Sequence, residues 1–469
     1  MLSAILTLSV TASAPASITT TDVSAYAETV EAIVSEALAN GRAYERLEEL
    51  CRVAPSRLAG SPGNAAALEW ARQVMLADGF ENVRLEEVTV PHWERGQVAE
   101  LRFAAPGQLA GDRLTVIALG GSVATPENGV TGEVVEVRSL EEVDELGAQL
   151  KGKLVFFNRP MDPTLVSTFQ AYGGAVDQRT RGAATAAQHG ALAVIVRSMT
   201  TRLDDNPHTG ATRFVQEGPN IPAAAISTVA ADHLSSLLKD GEAVRLNLRM
   251  DCRWFESVPS FNVVGELVGS EKPDEIVVVG GHIDAWDVGH GAHDDGAGCC
   301  HALEAVRLIK TLGLKPRRTI RAVMFNNEEN GLAGGRAYRD THAEAMPRHV
   351  FAVESDAGGF TPRGFTSNAS EAAMPTLRAI GELLRGVGIQ DVFPGGGGAD
   401  ISPMTGDGVV LAGFRPDSAR YFDLHHSPAD TFDKVNPREL HQGAAAIAAL
   451  VYIVADLEEA LPRNPVSGE

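Results

Sequence analysis

Residues Gly280 to Gly298, GGHIDAWDVGHGAHDDGAG, constrain the fold more than any other stretch of the chain. Ile276 to Val279, just before, is a β-branched apolar run of the kind that forms a strand buried on both faces. Cys299 to Ile309, just after, has apolar residues at 299, 303, 306 and 309, the spacing of a helix. A loop of acids and imidazoles between a strand's C-terminal end and a helix sits at the crest of an open α/β sheet, where ligands bind. Carboxylates converging there repel one another unless a cation holds them, so a divalent metal site is the first expectation.

Three further apolar runs end in polar residues. Ile320 to Phe325 leads into Asn326-Asn327-Glu328-Glu329-Asn330-Gly331, Val350 to Val353 into Glu354-Ser355-Asp356, and Tyr421 to Leu424 into His425-His426-Ser427-Pro428-Ala429-Asp430. Each reads as a strand end, and each alone has a duller explanation: paired glutamates are mostly solvated and a lone histidine near a turn caps or packs. Together they supply imidazole and carboxylate without thiolate, a donor set suited to catalytic zinc, and a shared carboxylate permits a two-metal centre.

Around this core, the spacing predicts helices over Tyr26–Glu49 and Gly63–Asp78, separated by a turn-rich Ala54–Pro62. Val83–Val90 alternates like a strand that stops at Pro91, and Glu100–Phe103 is a further strand candidate. From residue 111 to 250 the texture changes to short β-branched runs and frequent glycines, which reads as an inserted β-rich domain. Its predicted elements are strands at Lys153–Phe157 and Ala193–Arg197, a helix at Gly182–His189 and an extended Ile221–Ser227. The catalytic part then comprises residues 23–110 and 251–469, ending in an alanine-rich helix over Leu440–Leu461. The fold class expected is α/β, a mixed central sheet with helices on both faces plus the insert.

With Lys+Arg 40 against Asp+Glu 61, the net charge of -21 argues against nucleic acid or an anionic membrane as partner. No run past the N-terminus reaches the ~18 apolar residues of a membrane span. Residues 1–22 read as a leader: Met1 to Ser17 are apolar or small and Ala12-Ser13-Ala14 is similar to a signal-peptidase site, without the basic start of a secretory signal. A secreted or periplasmic location follows from that reading. Cys299 and Cys300 read as core filler on the helix, while Cys51 and Cys252 either pair or stay free.

The order HxD, Asp, Glu-Glu, Asp and a late His resembles the co-catalytic zinc exopeptidases of clan MH. PHWERG at Pro91–Gly96, PHTG at Pro207–Gly210, SFNVV at Ser260–Val264 and HHSPADT at His425–Thr431 are similar to its plasma glutamate carboxypeptidase branch. The resemblance implies two zinc ions per chain, one held by His282 and Asp356, the other by Glu329 and His426, with Asp294 bridging. It implies that Glu328 is the catalytic base, that Asp284 orients the His282 imidazole, and that the Asp294-Asp295 peptide is cis. His425 stands where the wider clan often has Tyr; it either stabilises the oxyanion or packs the site wall. The resemblance further implies that the insert is a protease-associated domain, that the chain is a homodimer, and that it hydrolyses dipeptides with free termini.

Read from the residues, Gly395 to Asp400 brings backbone close to a peptide at Gly397 and Gly398 and lets Asp400 meet its ammonium; an ordinary surface loop is the alternative. Two rival functions accompany the dipeptidase reading. One is an aminopeptidase trimming longer peptides. The other is a catalytically silent binding or receptor protein, against which stands a complete set of five ligand positions and a base.

Overall fold

The computed structural model describes residues 21–104, 109–241 and 243–466; most of the expected leader lies outside them. Eight strands form the central sheet: β1 (Glu81–Glu94), β2 (Arg253–Leu267), β3 (Lys272–His282), β4 (Arg318–Phe325), β5 (His349–Glu354), β6 (Pro362–Ser367), β7 (Asp391–Pro394) and β8 (Val410–Pro416). Their spatial order is β1-β2-β4-β3-β5-β8-β6-β7. The four middle strands β4, β3, β5 and β8 run parallel, with antiparallel pairs on either side. His282 is paired with Phe325, and Gly280 with Glu354, so three C-terminal ends arrive together at one crest. Such a sheet must be covered on both faces.

Alternation along β3 divides the core. Val277 and Val279 pack into the cluster beneath α1 (Ala27–Asn40), α2 (Ala43–Val53), α3 (Pro62–Ala77), α4 (Ala297–Thr311) and α6 (Pro437–Asp456). Ile276 and Val278 point the other way, toward Tyr338 on α5 (Ala333–Thr341). Cys299 and Cys300 are fully buried on α4, as core residues. All four cysteines are free; Cys51 and Cys252 belong to separate cores. No helix among the described residues is long and apolar enough to cross a membrane.

Three sequence expectations are corrected. The single helix over Tyr26–Glu49 is two, α1 and α2, because the chain turns at Gly41 in an extended conformation. β1 does not stop at Pro91 but continues to Glu94. It is an edge strand and its register slips between Val90 and His92, the setting in which a strand tolerates the missing N–H of proline. Tyr421–Leu424 is no strand: Tyr421–Asp423 is one 3-10 turn, its aromatics packed with Phe360 and Leu424 under the late histidines.

A second eight-stranded sheet lies between β1 and β2 in sequence, running from Ala99–Phe103 to Arg245–Met250. Leu154–Phe157, Ala193–Arg197 and Ala223–Ile226 form its parallel middle, where the apolar runs placed them. It also has the helix Thr228–Lys239, unforeseen in the sequence, capped by the Ser227 hydroxyl accepting from Ala230 N–H at 3.1 Å.

Candidate active site

The crest gathers its polar side chains from the ends of β3, β4 and β5, the loop before α4, and the turn after Asp423. Asp294 lies at their centre. Its Oδ1 is 3.3 Å from His282 Nε2 and its Oδ2 is 3.3 Å from His426 Nε2, so one carboxyl group touches two imidazoles from opposite sides. His282 Nε2 is also 3.5 Å from Asp356, and His426 Nε2 is 3.0 Å from Glu329. Donor atoms of His282, Asp294 and Asp356 lie within 4.8 Å of one another, as do those of Asp294, His425 and His426. The two groups share Asp294.

Hydrogen bonds from the surrounding chain fix these donors. His282 Nδ1 is 3.0 Å from the main-chain carbonyl of Asp284 and 3.7 Å from its carboxyl, which turns Nε2 toward Asp294 and Asp356. The Asp284 carboxyl also accepts from the N–H groups of Glu328 at 3.0 Å and Glu329 at 3.3 Å, tying the glutamate turn to the HxD loop. Adjacent glutamates thereby diverge: Glu329 is buried against His426 and accepts from Trp286 N–H, whereas Glu328 is partly open. The Asp295 carboxyl accepts from His282 N–H and Gly298 N–H, and the Asp294-Asp295 peptide is cis.

Several groups that hold this loop carry no role in the sequence reading. Arg57 is fully buried and donates to the carbonyls of Ile283, His290 and Gly291 at 2.8, 2.6 and 2.7 Å. Asp430 accepts from the N–H groups of His293 and Asp294 at 2.9 and 3.1 Å. The PHTG segment reaches in from the second sheet: His208 Nδ1 donates to the carbonyl of His425 at 2.7 Å and Thr209 N–H to that of His426 at 2.8 Å. Arg179 places its guanidinium 3.4 Å from His426 Nδ1. Asp430 and PHTG lie inside recognisable motifs, but nothing local signals that Arg57 crosses to a loop more than 220 residues away.

Electrostatics follow from crowding acids in a buried site. Burial works against the charge of Asp294, yet the His282 and His426 imidazoles hold it well below the usual carboxylate range. Burial pushes the Glu329 carboxyl up to about 7 and, with the Asp356 and Glu329 carboxylates nearby, holds Glu328 well above its ordinary value. Burial also drives His425 well below the usual imidazole range; its ring stacks on His426 with centroids 3.5 Å apart. His282 Nε2 and Asp294 Oδ2 are buried with no hydrogen-bond partner among the described residues. Orphaned donor atoms of this kind, aimed at a common point and flanked by acids, fit a bound cation.

Beside Asp356 opens a cavity of about 340 Å³ whose wall includes Glu354, Gly397 and Gly398. A Cβ at Gly398 would collide with the Glu354 carboxyl, so only glycine admits that close approach. Asp400 is placed apart from the cavity lining: it is fully buried, and neither carboxyl oxygen has a partner among the described residues.

A doubly covered α/β sheet bearing this carboxylate and imidazole cluster at its crest defines a metallo-exopeptidase. The chain belongs to peptidase family M28, whose model matches residues 262–451. It is 37% identical over 426 residues to carboxypeptidase Q of Bos taurus, covering 91% of this chain and 88% of that one. Against carboxypeptidase Q of Homo sapiens the identity is 36% over 446 residues, covering 94% and 92%. The crystal structure of a peptidase M28 precursor from Shewanella amazonensis SB2B superposes with a TM-score of 0.90 at 35% identity, over 94% of this chain and 99% of that one. A zinc aminopeptidase from Bacillus subtilis shares the fold, with a TM-score of 0.64 at 21% identity over 90% and 98% of the two chains.

Proposed function

We propose that the chain is a dinuclear zinc exopeptidase that hydrolyses dipeptides or short peptides with free termini. The observation that carries this reading is the Asp294 carboxyl, one oxygen 3.3 Å from His282 and the other 3.3 Å from His426. In it, His282 and Asp356 would hold one ion and Glu329 and His426 the other, with Asp294 available to both. Two zinc ions bound there would polarise the scissile carbonyl and lower the pKa of the attacking water from ~15.7 toward about 7.

The protein's own groups do the rest. Glu328, partly open and held by Asp284 through its main-chain N–H, takes the proton from the attacking water and returns it to the leaving amine, a duty worth typically ~10²- to 10⁴-fold. His425, stacked on His426 with its Nε2 3.7 Å from the Asp294 carboxyl, would donate to the oxyanion. We assign the region at 111–250, with the strand Ala99–Phe103 paired to it, to a protease-associated domain that also braces the late histidines through His208 and Thr209.

Metal analysis with chelator-sensitive hydrolysis of Ala-Ala tests the core of the reading: two zinc ions per chain and activity restored by zinc are expected, and metal-independent hydrolysis refutes it. Running Ala-Ala, Ala-Ala-Ala and an aminoacyl nitroanilide side by side separates a dipeptidase, which takes only the first, from an aminopeptidase. Export enters the proposal from the leader reading of residues 1–22 and a homodimer from the sequence resemblance; the N-terminal residue of the mature protein and its mass by light scattering test them.

A further inference from the structure

Arg415 stands at the lip of the cavity beside the candidate metal centre, and its setting is unlike that of the other arginines nearby. Arg363 is paired with Asp417 at 3.1 Å, and Arg420 lies 4.0 Å from Glu439. Arg415 has no ion-pair or side-chain hydrogen-bond partner among the described residues. It lies instead over the Phe393 ring, 4.9 Å from its centroid, a cation–π contact that leaves its N–H groups without a protein partner among the described residues.

The sheet register explains why this arginine meets the site. β5 and β8 are parallel neighbours, with Glu354 opposite Gly413. Asp356 and Arg415 each follow two residues beyond that last pair. Both line the same cavity, of about 340 Å³, with Phe169 and Phe414 supplying apolar wall. That volume is at the small end of ligand pockets, suited to a short peptide. Glycines let its wall pack closely: a Cβ at Gly413 would collide with the carbonyl of Gly397, and one at Gly398 with Glu354. The cavity thus has carboxylates on one wall, Glu354 and Asp356, and an unpaired guanidinium on another.

Resting on the exopeptidase reading, we propose that Arg415 is the specificity residue that binds the free α-carboxylate of the substrate's C-terminal residue, making the site selective for zwitterionic dipeptides. A planar fork of donors is the group best matched to a carboxylate. A peptide one residue longer, or one ending in an amide, presents a neutral carbonyl in that position and forgoes the charged pair.

Turnover of Ala-Ala and of Ala-Ala amide by the zinc-loaded wild type, R415A and R415K tests this. A charge-assisted hydrogen bond sets the expected scale at about 10- to 100-fold in kcat/KM. R415A should lose that much on Ala-Ala, mainly through KM, stay within about twofold of wild type on the amide, and regain part of the preference in R415K. A merely structural arginine would lower both substrates together. An acid-over-amide ratio unchanged in R415A overturns the proposal. If the wild type hydrolyses neither peptide, the exopeptidase reading fails, and calorimetric binding of Ala-Ala to E328Q and to E328Q/R415A still decides the subsite: weaker binding without Arg415 supports it and equal binding overturns it.

Discussion

Replacing Arg57 by Met should loosen the acidic loop without touching any candidate metal ligand. The Arg57 side chain is fully buried, and its three hydrogen bonds go to the main-chain carbonyls of Ile283, His290 and Gly291, which bracket the loop between β3 and α4. Each bond from a charged donor is worth about 1.5–3 kcal/mol, and methionine leaves all three carbonyls short of a partner. Against that loss, removing a buried guanidinium returns several kcal/mol of desolvation. The net destabilisation should be about 2–4 kcal/mol. Because Asp294 lies on the far side of the clamp from His282, the bridging geometry should loosen too, and zinc affinity should fall about 10- to 100-fold, the scale for groups supporting a ligand. Lysine should not rescue it, since one ammonium cannot reach three diverging carbonyls. Denaturant unfolding of the metal-free protein and competition with a zinc chelator measure the two effects separately. Wild-type stability and wild-type zinc affinity in the Arg57→Met protein would refute the clamp.

Three further outcomes are expected. Glu328→Gln should lower kcat by about 10²- to 10⁴-fold while metal content, read by elemental analysis, stays at the wild-type value; retained turnover removes Glu328 from the chemistry. Asp284→Asn keeps the main-chain carbonyl that orients His282 but weakens the hold on the Glu328 and Glu329 N–H groups, so kcat should fall about 10- to 100-fold with zinc retained. Burial depresses the imidazoles of His301 to about 3 and His349 to about 4, from 6.5 in the unfolded chain. Between those values and pH 6.5 these two groups carry more protons in the unfolded chain, so the stability they contribute is lost as pH falls through that window. Denaturant midpoints across that range check this, and His349→Gln should flatten the slope by about one proton.

Much of this architecture is legible from local chemistry, and the departures have local causes as well. The β-branched run Ile276–Val279 reads as a buried strand, and the donors at its end converge because β3, β4 and β5 run parallel. Pro91 was misleading because a proline ends most strands but not an edge strand with a slipped register, and whether a strand lies at an edge is decided by its neighbours. Tyr421–Leu424 has strand composition, yet its aromatics pack as a turn against Phe360, a partner distant in sequence.

The same distinction between local and distant determinants runs through the site. Spacing alone pairs Glu328 with Glu329 but does not say that the Asp284 carboxyl accepts from both N–H groups and sets their divergence. HHSPADT is visible as a motif, whereas the hold on its two histidine carbonyls comes from His208 and Thr209 in the second sheet. Residues that meet the reacting atoms are polar types in apolar surroundings, which is a sequence signal. Residues that position them act by reaching across the fold, and Arg57 and Arg415 look in sequence like any other arginine. Their roles follow only from where buried carbonyls, an aromatic ring and an unpaired guanidinium fall once the sheets are assembled, so the variants that probe them test the packing rather than the motif.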